Sequence, residues 1–287
     1  MSCQAIVALA IAAPCVLSAH AGFAQSSANW DIAGFNLSMT KAQARQLAES
    51  HGKKGTTVEL PVTLTANGYR VSTVAGLARE LVDPGLNPQP GANPHFDSIK
   101  VIYDPMPGTS DIFAISRRVT YTRGDQMLHA TLVDSLIAKL GQPYATKAWG
   151  VLQDETDYTW VSNPATYDPR VCGPDTHIYR PYFYEGIMGD LILDQAADEA
   201  GSGLVAAISS GGVDRIAARA HCGVIFTVSI SDMLGTHNEF VYTLRETLVD
   251  PGRGASDIEA FANLVASGAD AAHQRQIDDA RGNKPSL

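Results

Sequence analysis

Basic residues are scarce and dispersed in this chain. Lys and Arg number 21 against 30 Asp and Glu in 287 residues, a formal charge of −9, and Lys53-Lys54 and Arg117-Arg118 are the only adjacent basic pairs. Affinity for a phosphate backbone or an anionic bilayer is assembled from clustered Lys and Arg, so nucleic acid is not expected as a partner. Long apolar runs are also missing beyond the first two dozen residues. Nothing there approaches the roughly 18 residues that a membrane helix needs, and no integral membrane span is expected. Cysteine is rare, with four in all, and no serine stands in the G-x-S-x-G turn of a hydrolase. What remains is the composition of a folded protein, 45% hydrophobic and 18% charged, outside the low-hydrophobicity, high-charge regime in which chains stay disordered.

The opening stretch, MSCQAIVALAIAAPCVLSAHAGFAQSS, has an apolar run from Ala5 to Leu17 and then small residues suited to cleavage after Ala21 or Ala24. It reads as a secretory signal peptide over residues 1–24, although no Lys or Arg precedes the run. An ordinary buried helix is the alternative. Pro14 directly before Cys15 does not suit a lipoprotein signal, so the mature protein is expected to be soluble and periplasmic or extracellular.

Removal of that segment leaves Cys172 and Cys222 as the only cysteines. In an exported chain an even pair reads as a disulfide, which would close a loop of about fifty residues and contribute on the order of 4 kcal/mol. A zinc site built from Cys172, His177, His221 and Cys222 is a second reading, but paired ligands usually stand two to four residues apart and His221 adjoins Cys222. A thiol nucleophile with His177 or His221 as its base is the third, and it requires a reduced thiol. Neither a cofactor nor a metal is expected.

Further along, Ser38 or Thr40 can cap a helix through Gln43, with Ala44, Leu47 and Ala48 at helical spacing and Gly52 as the stop. A helix over Thr40 to Ser50 follows. TVELPVTL alternates as a half-buried strand whose Pro61 places it at an edge or bulge. TVAGLARELVDPG suggests a short helix ending before Pro84, and the Pro- and Gly-rich DPGLNPQPGANPH a loop. SIKVIYDPMPGTSDIFAISRRVTYT predicts two strands joined by a turn at Asp104 to Ser110. In MLHATLVDSLIAKLGQP, Leu132, Val133, Leu136, Ile137 and Leu140 share one helical face, stopped by Gly141 and Pro143. TKAWGVLQDETDYTWVSN reads as a hairpin turning near Asp154, with Tyr158 and Trp160 on one face. Downstream, IYRPYFYEG, GLVAAISS and CGVIFTVSIS look extended, and EFVYTLRETLVD pairs with the last across DMLGTH. From Ser256 the chain reads as helix, broken near Gly268, with a loose end.

A helix stopped by Gly52 and one stopped by Gly141, each leading into strands, suggest an imperfect repeat at an offset of about ninety residues. DIAGFNLSMTKAQARQLAESHG and LIAKLGQP resemble the openings and the L-x-x-x-[LY]-G-x-P helix exits of β-lactamase-inhibitor-like and SmpA/OmlA-type small outer-membrane-lipoprotein units, over about residues 31–161. Ser38 stands where those units carry Gly. The resemblance implies helices paired with an antiparallel sheet and action through protein contacts, with no catalytic residues to carry over.

Other constellations weigh less. Gly201 to Ala206 matches G-x-G-x-x-A but follows the helix-like DQAADEA rather than a strand, so a connector is the plainer reading. Ser209, Ser210, His129 and His221 could join a triad only through the fold. Asp190, Asp194 and Asp198 would make an acidic stripe on a helix, more naturally solvated than calcium-bound. RGD at Arg123 to Asp125 and the triplet Asn36-Leu37-Ser38 are short enough to occur by chance. Trp149, Tyr158, Trp160, Tyr179, Tyr182 and Tyr184 are the local aromatic enrichment and the candidate binding surface, with core packing as the competing fate.

The expectation is an α+β fold in which antiparallel sheet is packed by a few helices, with two related helix–sheet units. The expected domains are 25–163 and a disulfide-containing segment 164–287. The expected function is non-enzymatic binding in the cell envelope, with another envelope protein as the partner in view. A secreted or periplasmic hydrolase and an envelope structural component are the rivals.

Overall fold

A computed structural model describes residues 27–51, 55–66, 69–83, 95–122, 125–149, 155–168, 218, 220–232 and 239–282. The first helix, α1 (Lys41–Ser50), starts where its capping chemistry dictates. Thr40 accepts from the backbone of Gln43 while the Gln43 side chain accepts from the backbone of Thr40, satisfying two otherwise orphaned donors. Four strands follow: β1 (Thr56–Ala66), β2 (Tyr69–Asp83), β3 (His95–Tyr103) and β4 (Ile112–Thr120). Then α2 (His129–Leu140) leads into β5 (Ala145–Trp149), β6 (Glu155–Val161), β7 (Ile225–Asp232) and β8 (Val241–Val249), and α3 (Pro251–Gly282) closes the described chain.

The eight strands among the described residues form one antiparallel sheet in the order β1-β2-β3-β4-β8-β7-β6-β5. The order is a palindrome about the β4–β8 pair. Each half is a helix followed by a four-stranded meander, and the last strands of the two meanders join. The fold is therefore α+β, with an antiparallel sheet packed by helices. The division expected at residue 163 falls inside the second half, because β6 pairs with β7 across it.

Pro61 sits where the sequence demands. It lies on the edge strand β1, at the register shift between Leu60 and Pro61, so its missing N–H costs the sheet little. The helix expected in TVAGLARELVDPG is instead the middle of β2. Alternation explains the difference: Leu77 and Arg79 face one side while Gly76, at the close approach to β3, could carry no side chain, since a methyl there would meet Val101 O at 2.7 Å. The break expected at Gly268 is also absent, and α3 runs through it. Gly268 is there for packing, because a methyl at that position would lie 2.1 Å from Cε1 of Tyr69.

The sheet has two different faces. On the first, Leu77, Val101, Ile115, Phe226, Ile230 and Leu248 pack beneath α1, α2 and the segment holding Trp30, Ile32 and Phe35. The buried stripe of α2 is Leu132, Leu136 and Leu140, and Gly141 at φ 81 ends it. On the second face, α3 lays Ala255, Ile258 and Phe261 over Phe113, Ile225 and Val249, with Cys222 fully buried beside them. This apolar patch takes in the ends of the central strands together with Val71 and Ala75 of β2 and Ile102 of β3. Beyond it the second face is polar.

Candidate functional site

Three polar groupings stand out, two under the helices and one on the second face. At the start of α2, His129 Nδ1 lies 2.8 Å from Asp232 Oδ1 and 2.9 Å from Oδ2, and its Nε2 lies 3.1 Å from Tyr158 Oη. The Asp232 side chain is 1% exposed and that of His129 16%. Burial, followed by the charge of Asp232, raises the Tyr158 hydroxyl above its ordinary value. The chain places these groups by pairing β7 with β6 and by anchoring His129 N on Glu239 O. An aspartate that orients a histidine toward a hydroxyl is the arrangement of a general base. It is equally the arrangement of a clamp that fixes the first turn of α2 to the sheet.

Deeper under the helices, Arg117 bridges Asp97 and Glu246. Its Nε and Nη2 donate to the two carboxylate oxygens of Asp97 at 2.9 and 2.8 Å, and Nη1 to Glu246 at 3.3 Å. Burial raises Glu246 against the opposing pull of Arg117, and burial pushes the nearby Tyr121 up to about 12. Arg79 donates to the carbonyls of His51 and Gly55 and to Thr57 Oγ1, holding the exit of α1. These contacts brace the fold, joining β3, β4 and β8.

The third grouping crosses the polar part of the second face. Successive register partners run Lys147, Asp157, Ser229, Arg245, Arg118 and Ser98 from β5 to β3. Thr159, Thr227 and Thr243, on the same face, are 1%, 7% and 5% exposed. Among the described residues, buried Thr227 Oγ1 and Arg245 Nε have no hydrogen-bond partner. Polar groups removed from water without partners cost about 1–3 kcal/mol each.

The residues singled out from the sequence scatter. Trp160 is not on a surface: it is 3% exposed in the core beneath the helices, donating from Nε1 to Gly141 O at 2.9 Å. Tyr158 is half-buried on the same face and engaged by His129; alternation along β6 turns both toward the helices. The Trp149 side chain, Tyr179, Tyr182 and Tyr184, and Cys172, His177, Gly201 to Ala206, Ser209, Ser210 and the Asp190, Asp194, Asp198 stripe lie outside the described residues. Asn36 Oδ1 accepts from Ser38 N and Oγ in a tight turn. Among the described residues no cluster of His, Cys, Asp and Glu could hold a metal ion, and no helix is long and apolar enough to cross a membrane. The arginine-centred row escaped the sequence because its members come from distant strands. Its one local signal is the shared pattern of SRRVT and TLRET, a hydroxyl residue, Arg and Thr at alternate positions. No known protein family, curated protein or solved structure matches the chain.

Proposed function

We propose that this chain is an exported protein of the cell envelope that works by binding, and that the polar second face of its sheet is the binding surface. The observation that carries the reading is the uninterrupted row from Lys147 to Ser98, which crosses the junction of the two halves and holds at its centre Arg245 Nε, buried and without a partner among the described residues. A sheet offers such a row rigidly, since its side chains are set by register and lose little freedom when a ligand arrives. The helix-on-sheet arrangement is also what a relationship to the β-lactamase-inhibitor-like and SmpA/OmlA-type units would entail. In the same reading the leader is removed on export and Cys222, buried beside α3, pairs with Cys172.

Native mass spectrometry of the protein drawn from its own cell envelope tests this. The wild type retains bound mass, and Ser229→Trp, which places an indole over the row, loses it while keeping the melting temperature. Retention by the Trp variant overturns the reading.

A hydrolase is the second reading, and Asp232–His129 with Tyr158 Oη is the observation that favours it. It requires turnover of an ester, glycosidic or peptide substrate that disappears in His129→Gln. An envelope structural component would instead be recovered in a stable complex with an outer-membrane assembly.

A further inference from the structure

The last strand of each half carries the same polar triplet on the second face. Strand β4 has Ser116, Arg118 and Thr120, and β8 has Thr243, Arg245 and Thr247. Antiparallel register sets Ser116 against Thr247, Arg118 against Arg245 and Thr120 against Thr243. The pairing is reciprocal, so a local two-fold axis passes between the arginines.

Directly opposed residues in an antiparallel pair hold their Cβ atoms about 5 Å apart, and like charges so placed are destabilising. A sheet selected for stability alone would set a carboxylate against one of these arginines. Here the register neighbours are Ser98 beside Arg118 and Ser229 beside Arg245. The nearest acidic positions in the row, Glu80 and Asp157, are each two strands off, about 10 Å at the usual strand spacing. Glu246 and Asp97 adjoin the row along the chain but face the helices, where Arg117 engages both. Neither Arg118 nor Arg245 has an ion-pair or hydrogen-bond partner among the described residues, and Arg245 Nε is buried. In a chain of formal charge −9, a cationic pair ringed by hydroxyls and uncompensated among the described residues is a local inversion of charge.

We propose that Arg118 and Arg245 together bind a tetrahedral oxyanion, phosphate or sulfate, carried by a small soluble ligand. The proposal rests on the reading of this face as the binding surface and names the chemistry of what it holds. Two planar guanidinium forks can each present paired donors to one oxyanion. The serine and threonine hydroxyls on either side serve its remaining oxygens. The anion also cancels the repulsion that the pair suffers when empty.

Calorimetric titration of the mature protein with inorganic phosphate, against sodium chloride of matched ionic strength, tests it. Wild type binds phosphate, and binds sulfate comparably. Arg118→Gln and Arg245→Gln each weaken binding about tenfold or more, the equivalent of one lost charge-assisted contact. Each also melts at a higher temperature than wild type in chloride, since the repulsion is relieved. Arg45→Gln, which removes a surface cation on α1, leaves the phosphate affinity unchanged. Absent binding by wild type, equal binding by all variants, or binding only to vesicles containing phosphatidic acid overturns the proposal. None of those outcomes alters the Ser229→Trp comparison, so the oxyanion and the binding face can fail separately.

Discussion

Arg117 on β4 forks onto Asp97 on β3 with bonds of 2.9 and 2.8 Å and reaches Glu246 on β8 with its remaining nitrogen. Asp97 and Glu246 are both 8% exposed, so the guanidinium neutralises carboxylates from two halves of the sheet. Removing one partner of a buried ion pair strands the other's charge. Arg117→Met is predicted to destabilise the protein by about 3 kcal/mol or more in denaturant unfolding, and Arg117→Lys to recover little, because an ammonium cannot fork. A loss below about 1 kcal/mol, the level of an exposed pair, would contradict the bridging role.

The His129 cluster supports a graded prediction. Ala in place of His129 leaves Asp232, 4% exposed, without its ring partner and is expected to cost about 2 kcal/mol, whereas Tyr158→Phe removes one hydrogen bond and costs about 1 kcal/mol. Urea unfolding of both variants checks the order. If His129→Ala were neutral, the cluster would not be the clamp that holds the first turn of α2.

Asp257 in α3 makes stability respond to pH. Burial, reinforced by Asp104, pushes its carboxyl up to about 6 from 3.8, and Arg253 only partly opposes this. The folded state therefore holds the proton more tightly than the unfolded chain. This group's contribution is complete below the unfolded value, and it is lost as pH rises through about 6. Asp257→Asn mimics the protonated form. It is predicted to melt higher than wild type at neutral pH, with the gap closing as pH falls from 6 toward 4. A gap that does not change with pH would refute the assignment.

Gly268 gives a test of packing against propensity. In an exposed helix Gly→Ala stabilises by about 1 kcal/mol. At Gly268 the new methyl would fall within 2.1 to 2.3 Å of the Tyr69 ring, so Gly268→Ala is predicted to destabilise, and Tyr69→Leu in the same chain to restore part of the loss. A stabilising Gly268→Ala would mean that α3 is not seated on Tyr69.

Local signals are legible in the sequence and long-range ones are not. The Thr40–Gln43 capping box, the Leu132–Leu136–Leu140 stripe and the proline of β1 act within a turn or a strand, and the chain follows each. The AGLARE stretch of β2 has helical propensity, which pairing on both sides by β1 and β3 overrides. Gly268 looked like a helix stop because its purpose, room for Tyr69, lies two hundred residues upstream. Trp160 and Tyr158 looked like a surface because alternation reveals which residues share a face, not which face the helices cover. The opposition of Arg118 and Arg245 needs the β4–β8 register, which no local pattern specifies.

The most direct measurement is site-specific photocrosslinking in the envelope of the native cell. A photoreactive residue at Ser229, in the polar row, is compared with one at Ser135, exposed on α2. A discrete adduct from position 229 that is missing from position 135 is the predicted result. Equal labelling at both, or labelling at 135 alone, would contradict a binding role for the second face.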